Sequence, residues 1–141
     1  YHTANNREDM DFLIRELKRH RDKEGLLMAN FVDFDSMYGH RRNAQGYAQC
    51  LEDFDAMLGE LLPLLQDDEL LMITSDHGND PTMSGTDHTR EEVPLVAYSP
   101  GLTESTDLGT RKTFADLGQT IMDNFDAGKL PFGTSFLNDL K

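Results

Sequence analysis

Carboxylates and histidines are the residue types in this chain best suited to chemistry, and they fall into two groups. The first group contains Asp33, Asp35 and His40, and the second contains Asp76, His77, Asp80 and His88. Carboxylate oxygen and imidazole nitrogen together suit a borderline divalent ion such as Mn, Zn or Fe, whereas Mg or Ca collect oxygen ligands. Two such ions can clamp the attacking and leaving oxygens of a phosphoryl group. Phosphoryl transfer or hydrolysis is therefore the predicted reaction class.

Several members of this site have alternatives that the residues leave open. Asp33 and Asp35 would face the same side of an extended strand, so spacing does not decide which of them reaches the group. We favour Asp35 because it lies nearer the end of the predicted strand. Arg41, Arg42 and Arg90 are candidates either for pairing with phosphate or for neutralising nearby carboxylates. A single Asp or His in a loop is more often a turn or cap residue, so the grouping carries the prediction.

The patterns between these groups predict the elements that must position them. Apolar residues at helical spacing predict helices over residues 7–21 and 46–66 and a third that opens at Thr113, and short apolar runs predict strands over residues 26–34, 70–74 and 93–98. This alternation is typical of an α/β domain with a largely parallel sheet flanked by helices. Both groups then follow the carboxyl ends of strands, where open α/β sheets bind ligands.

Local signals indicate where these elements begin, bend and end. Asn5 or Asn6 is expected to cap the first helix, and Asp116 to complete a capping box in the third. Pro63 is expected to kink or end the second helix. The tail over residues 128–141 is punctuated by Gly and Pro and is expected to pack as an extended segment.

Three glycines stand near the candidate histidines. Gly39 precedes His40, Gly78 follows His77, and Gly85 lies shortly before His88. Because glycine adopts backbone conformations closed to other residues, we expect these positions to make sharp turns that aim the neighbouring side chains inward.

Composition limits the classes of partner. The 141 residues include 26 Asp+Glu against 13 Lys+Arg, a formal charge of −13, so we expect no nucleic-acid binding. The apolar runs are far shorter than the roughly 20 residues that span a bilayer, so we expect no membrane segment. The single Cys50 excludes an intramolecular disulfide and fits a reducing compartment, with the cytoplasm as the default. The start at Tyr1 lacks the features of a signal peptide, and we expect that an upstream segment has been removed.

Three stretches carry a resemblance to a known family. They read DFDSMYGHRR over residues 33–42, TSDHGNDP over residues 74–81 and GTDHTRE over residues 85–91. With them the chain resembles the phosphopentomutase family of the alkaline phosphatase superfamily. The resemblance covers nearly the whole chain and identifies residues 1–141 as the C-terminal portion of a metal-binding catalytic core domain, an alkaline-phosphatase-like core fragment that lacks the N-terminal core segment and the cap domain.

The resemblance implies interconversion of ribose 1-phosphate and ribose 5-phosphate, and of the deoxyribose pair, with a sugar bisphosphate as activator. It implies two Mn²⁺ ions, with other divalent metals left open. By position, Asp35, His40 and His88 match the ligands of one metal, and Asp76 and His77 match ligands of the other. The nucleophile would be a threonine outside this chain, and nothing local singles out a hydroxyl within it.

Other functions stay open beside this one. Cofactor-independent phosphoglycerate mutase uses a similar Asp/His set, but its usual surroundings lack the Arg-Arg after His40 and the Thr-Arg-Glu after His88. A metal-dependent phosphatase of the same superfamily is a further alternative. In another class, the chain would be a metal-binding module without catalysis that self-associates through an edge left open by truncation.

Overall fold

A computed structural model describes residues 1–140, and the last residue of the predicted tail, Lys141, lies outside the described residues. The chain divides into two compact units. The first unit comprises Tyr1–Leu64 and His77–Val93, and the second comprises Leu65–Asp76 and the residues from Pro94 onward. Within residues 1–140, no helix combines the length and the apolar content needed to cross a bilayer.

Two helices form the framework of the first unit. Helix α1 spans Asn6–Arg19 and helix α2 spans Ala44–Leu61, which confirms both predicted helices. The side chain of Asn5 accepts a hydrogen bond from the backbone of Glu8 and caps α1. A short 3-10 turn, Leu62–Leu64, follows α2, so the helix ends at the proline as expected. The core of this unit includes the buried side chains of Met10, Cys50, Met57 and Leu61.

The strand predicted over residues 26–34 is wrong. Residues 24–31 have no regular secondary structure, and Phe34–Gly39 form a π-helical turn, here called the π-turn. The side chains of Leu26, Met28 and Val32 are exposed, and no strand pairs with this segment within the described part of the chain. The apolar pattern was misleading because a strand exists only where a second strand completes its hydrogen bonds.

The second unit contains a two-stranded sheet. Strand β1 spans Leu71–Thr74 and strand β2 spans Leu95–Tyr98, which confirms two predicted strands. They are antiparallel, with Leu71 opposite Tyr98. The largely parallel sheet predicted from the sequence is therefore not what residues 1–140 form. The connection between the strands, residues 75–94, holds no helix that would carry the chain back to the start of a parallel neighbour.

Helix α3, Ala115–Asn124, and the tail complete the second unit. Thr113 Oγ1 accepts a hydrogen bond from the backbone of Ala115, so the helix opens close to the predicted position. The predicted capping box is wrong, because the Asp116 carboxylate instead accepts hydrogen bonds from Arg111 Nε and the backbone of Thr134. The tail packs through the fully buried Phe136 and has a short 3-10 turn at Leu137–Asp139.

Candidate metal centre

The π-turn positions the first two candidate ligands. Its hydrogen bonding joins residues five apart, and the His40 backbone N–H donates to the Asp35 carbonyl at 3.0 Å. Asp35 and His40 therefore stand close together although no strand precedes them. The turn is anchored on α2 because the Phe34 ring packs against Phe54 and Tyr47, with centroids 5.6 and 6.0 Å away. Phe34, one of the apolar residues that suggested a strand, thus packs the π-turn against α2.

A narrow loop, residues 77–91, positions the histidines of the second group. An antiparallel bridge joins Gly78 to Thr89, and the Thr89 hydroxyl accepts a hydrogen bond from the backbone of Asp80 at 2.6 Å. Next to this bridge the His77 and His88 rings stack, with centroids 3.7 Å apart and planes 18° from parallel. Closure of the loop therefore brings both histidines to one place.

The π-turn and the loop meet in a triad formed by Asp35, His40 and His88. His40 Nε2 lies 3.1 Å from Asp35 Oδ2, and His88 Nε2 lies 3.4 Å from Asp35 Oδ1. The two histidine Nε2 atoms are 3.1 Å apart. One ligand atom from each residue lies within 4.8 Å of the others, and the His88 side chain is open to solvent. Residues far apart in sequence thus present one carboxylate and two imidazoles to one point.

Hydrogen bonds to carbonyl oxygens select which ring nitrogens can act as ligands. His40 Nδ1 lies against the Thr86 carbonyl, which only accepts, so Nδ1 is the donor and Nε2 is the nitrogen that faces Asp35. His77 Nδ1 makes the same kind of contact, at 3.1 Å, with the carbonyl of Gly78. Such contacts fix the tautomer and orientation of metal-binding histidines.

The triad fits a divalent metal ion. Ligand atoms about 2.1 Å from one ion, with angles of about 90–110° between them, lie roughly 3.0–3.4 Å from each other. The two histidine Nε2 atoms lie in that range from each other, and each lies in that range from one Asp35 oxygen, which is Oδ2 for His40 and Oδ1 for His88. A carboxylate with two imidazoles also suits Mn, Zn or Fe better than Mg or Ca.

The three glycines contribute in two different ways. Gly85 has φ of +87°, a left-handed conformation that favours glycine, as expected for a sharp turn before His88. Gly39 and Gly78 are instead required because a larger residue would not fit at these positions. A Cβ on Gly39 would lie 2.2 Å from the Asn79 side chain, and a Cβ on Gly78 would lie 2.6 Å from the Glu91 backbone nitrogen. Close packing, more than backbone freedom, thus explains these two positions.

The remaining predicted acids occupy different surroundings. The Asp33 carboxylate accepts a hydrogen bond from the backbone of Asn6 at 2.8 Å, so it contacts the start of α1, whereas Asp35 lies in the triad. Asp76 is the residue before His77 and belongs to the second unit. Hydrogen bonds from the Thr82 hydroxyl and backbone, together with the charge of Arg42, lower the pKa of Asp80.

The three predicted arginines also differ in their contacts. Arg41 donates through Nε to the Ser36 carbonyl at 3.3 Å, within the π-turn. Arg90 is exposed. Arg42 donates to backbone carbonyls of the loop and to the side chain of Asn79. Its guanidinium therefore contacts the loop that carries His88.

Sequence reasoning missed one side chain that contacts the triad. Asn79 Nδ2 donates to Asp35 Oδ1 at 2.5 Å. Nothing in the sequence singles Asn79 out, because an Asn after a Gly is common in turns. Only the meeting of the loop with the π-turn reveals its role.

Comparison of the sequence with known proteins assigns the chain to a family. The sequence model of the Metalloenzyme superfamily matches residues 1–129, which include the whole triad and the loop. The chain belongs to the Metalloenzyme superfamily. Membership in this superfamily implies dependence on a metal, in agreement with the donor set of the triad. The chain is also 51% identical over all 141 residues to the curated phosphopentomutase of Levilactobacillus brevis, and it spans 35% of the length of that relative.

Proposed function

We propose that this chain provides metal-binding residues of the catalytic core of a phosphopentomutase, which interconverts ribose 1-phosphate and ribose 5-phosphate and the corresponding deoxyribose phosphates. The observation that carries this proposal is the triad of Asp35, His40 and His88, whose ligand atoms lie within 4.8 Å of each other. It stands in a chain that is 51% identical to a curated phosphopentomutase. A sugar phosphate is the substrate class that we propose.

In this proposal Asp35, His40 and His88 hold one metal ion, and Asp76 and His77 contribute to the site of a second. We propose Mn²⁺ as the metal, with a sugar bisphosphate as activator. Bound divalent ions polarise a phosphoryl oxygen and offset the negative charge that develops during its transfer. The chain itself supplies orientation, since the Thr86 carbonyl holds the His40 ring with Nε2 towards Asp35.

The nucleophile of the proposed reaction lies elsewhere. The resemblance assigns it to a threonine outside this chain, in the N-terminal part of the catalytic core. We therefore propose that residues 1–141 carry ligands for the metals and that the reacting threonine and most sugar contacts come from other segments.

We propose the cytoplasm as the location of the protein, because a single cysteine, Cys50, fits a reducing compartment.

A chimeric enzyme tests this proposal. The matching segment of the Levilactobacillus brevis phosphopentomutase is replaced by this chain, and conversion of ribose 1-phosphate into ribose 5-phosphate is measured with Mn²⁺ and a sugar bisphosphate. We expect activity within about tenfold of the parent enzyme, or roughly 1.4 kcal/mol in activation free energy. The matched control is the same chimera with Asp35→Ala, which we expect to lose activity by at least about 100-fold.

Three outcomes would contradict the proposal. A chimera that is folded and metal-loaded but inactive would show that this segment does not serve a pentose phosphate mutase. Release of inorganic phosphate without isomerisation would favour a metal-dependent phosphatase instead. Activity on phosphoglycerate in place of the pentose phosphate would favour the phosphoglycerate mutase alternative.

A further inference from the structure

Arg42 holds the loop over residues 77–91 from one side, through contacts with residues between positions 79 and 87. Its Nε donates to the Gly85 carbonyl at 2.6 Å, and its Nη1 donates to the Asp80 carbonyl at 2.8 Å and to Asn79 Oδ1 at 2.9 Å. Nη2 donates to the carbonyl of Asp87. These contacts reach both arms of the loop, so one guanidinium sets the distance between them.

This use of the guanidinium leaves little capacity for a phosphate. An arginine has five N–H donors, and the bonds to the loop use four of them. Bidentate binding of a phosphate needs two parallel N–H groups that are both available. The contacts of Arg42 therefore favour a role in holding the protein over a role in binding substrate.

The backbone of Arg42 is also unusual. Its φ is +52°, in the left-handed region that residues other than glycine seldom adopt. Its N–H donates to the Gly39 carbonyl at 3.0 Å, which ties it to the end of the π-turn. Non-glycine residues keep such a conformation only where surrounding contacts enforce it. This backbone aims the side chain at the loop.

Two short routes lead from Arg42 to the triad. Through the first, Asn79 accepts from Arg42 and donates to Asp35 Oδ1, which orients the carboxylate. Through the second, Arg42 holds the carbonyls on either side of Thr86, whose own carbonyl contacts His40 Nδ1. The residue after Asp87 is His88 itself. All three ligands of the triad thus depend on groups that Arg42 binds.

We propose that Arg42 is a positioning residue that assembles the triad before a metal ion binds, and that it is not a phosphate ligand. This inference rests on the proposed metal site, and it explains why the three side chains of the triad lie close together. A ligand set that is already in place loses less conformational freedom on binding than one that must be gathered by the ion. Removal of Arg42 should therefore weaken metal binding without removing a ligand.

The neighbouring Arg41 offers a matched control. It has the same charge and almost the same place in the chain, but its Nε contacts the Ser36 carbonyl and it is exposed. Arg41→Met and Arg42→Met thus change net charge equally. Arg42→Lys separates charge from geometry, because an ammonium keeps the charge but cannot reproduce the planar fork of donors.

The test is calorimetric titration of Mn²⁺ into this chain and its variants, with circular dichroism to show that each is folded. We expect Arg42→Met to weaken Mn²⁺ affinity by about 10–100-fold, the usual effect of losing a group that orients metal ligands. Arg42→Lys should fall close to Arg42→Met, and Arg41→Met should stay within about twofold of wild type. Equal affinities of wild type and Arg42→Met would overturn the inference.

A second variant and a second readout cover a failure of Arg42→Met to fold. Asn79→Ala breaks the route to Asp35 and leaves the arginine in place, and we expect it to weaken Mn²⁺ binding in the same direction. Nuclear magnetic resonance of the imidazole nitrogens, without metal, should show altered His40 and His88 signals in either variant. Unchanged signals and affinity in Asn79→Ala would contradict the inference.

The outcomes separate this inference from the proposed function. If the wild-type chain does not bind Mn²⁺, the proposed metal site and the role of Arg42 both fail. If wild type binds and Arg42→Met binds equally well, only the role of Arg42 fails. If Arg42 bound phosphate, Arg42→Met in the chimeric enzyme would raise KM for the sugar phosphate and leave Mn²⁺ affinity unchanged, and that pattern would also overturn the inference.

Discussion

The backbone N–H of His40 donates to the carbonyl of Asp35, and the side chains of the same two residues lie 3.1 Å apart, from Nε2 to Oδ2. This double contact follows from the π-turn, whose hydrogen bonds join residues five apart. An α-helix would join residues four apart and a strand would separate the two residues. The π-turn is therefore the local feature that places two of the three candidate ligands together.

The two acids around the start of the π-turn should respond differently to removal. Asp35→Ala removes a candidate ligand, so we expect Mn²⁺ affinity to fall by at least about tenfold while the chain stays folded. Asp33→Ala leaves the Asn6 backbone without its acceptor, so we expect it to cost about 1–3 kcal/mol in the free energy of unfolding. Calorimetry and urea unfolding of both variants measure the two effects. Equal Mn²⁺ affinities in the two variants would contradict the assignment of Asp35.

Gly39 should tolerate no side chain. Gly39→Ala would place a Cβ 2.2 Å from the Asn79 amide, so Asn79 must move and its contact with Asp35 must change. We expect a loss of about 1–3 kcal/mol in stability and weaker Mn²⁺ binding. Gly59 is the control, since it lies exposed in α2 with nothing near its Cβ position. Gly59→Ala should stabilise the chain by about 0.8–1 kcal/mol. A Gly39→Ala variant as stable as wild type would show that the close approach is not rigid.

Cys50 should contribute to the dependence of stability on alkaline pH. Burial raises the pKa of its thiol above the ordinary 9.0, and the charges of Asp33 and Asp53 add to this, against a smaller opposite effect of the hydrogen bond from Asn6. Because the folded pKa is the higher one, this contribution to stability is fully present below 9.0 and is lost as pH rises through the folded pKa.

Cys50→Ala is the variant that checks this sign. Urea unfolding at about pH 7.5 and about pH 9.5 should show a smaller loss of stability on going alkaline in Cys50→Ala than in wild type. Burial also raises the pKa of Tyr47, so the comparison must be between variants at each pH and not between pH values alone. An identical loss in both proteins would contradict the burial of the thiol in the first unit.

Asp116 should be the most sensitive polar residue of the second unit. It is 5% exposed and accepts from Arg111 Nε at 2.9 Å and from the Thr134 backbone at 2.8 Å. Asp116→Ala leaves both donors without their acceptor, so we expect a loss of about 3–5 kcal/mol in the free energy of unfolding. The exposed Glu104 is the control, with an expected change within about 0.5 kcal/mol. A loss below about 1 kcal/mol for Asp116→Ala would mean that the tail is held by other contacts.

The helices were predictable because their signals are local. The cap at Asn5 and the stop at Pro63 act on the residues beside them, and α1 and α2 form accordingly. The sheet was not predictable in the same way, since the direction of β2 relative to β1 depends on the connection between them. The segment over residues 26–34 shows the same limit, because its apolar residues indicate a strand only if a partner is present.

The candidate site was predictable in its residue types but not in its supports. Asp35, His40 and His88 were chosen from the sequence, and the structure brings these three together. The choice between Asp33 and Asp35 rested on the exit of a strand that the structure replaces with a π-turn. The contacts of Asn79 and Arg42 join residues more than thirty positions apart, so no pattern along the chain could have indicated them.

Self-association of the chain through an open edge, which the sequence left as an alternative, stays a prediction.

Pulsed electron paramagnetic resonance of Mn²⁺, added at less than one equivalent to this chain, tests directly whether Asp35, His40 and His88 bind a metal ion. We expect magnetic coupling of the ion to ring nitrogens of two histidines, one of which disappears in His88→Ala and neither of which changes in His20→Ala. Mn²⁺ spectra without histidine coupling, or coupling that His88→Ala leaves intact, would contradict the assignment of Asp35, His40 and His88 as a metal site.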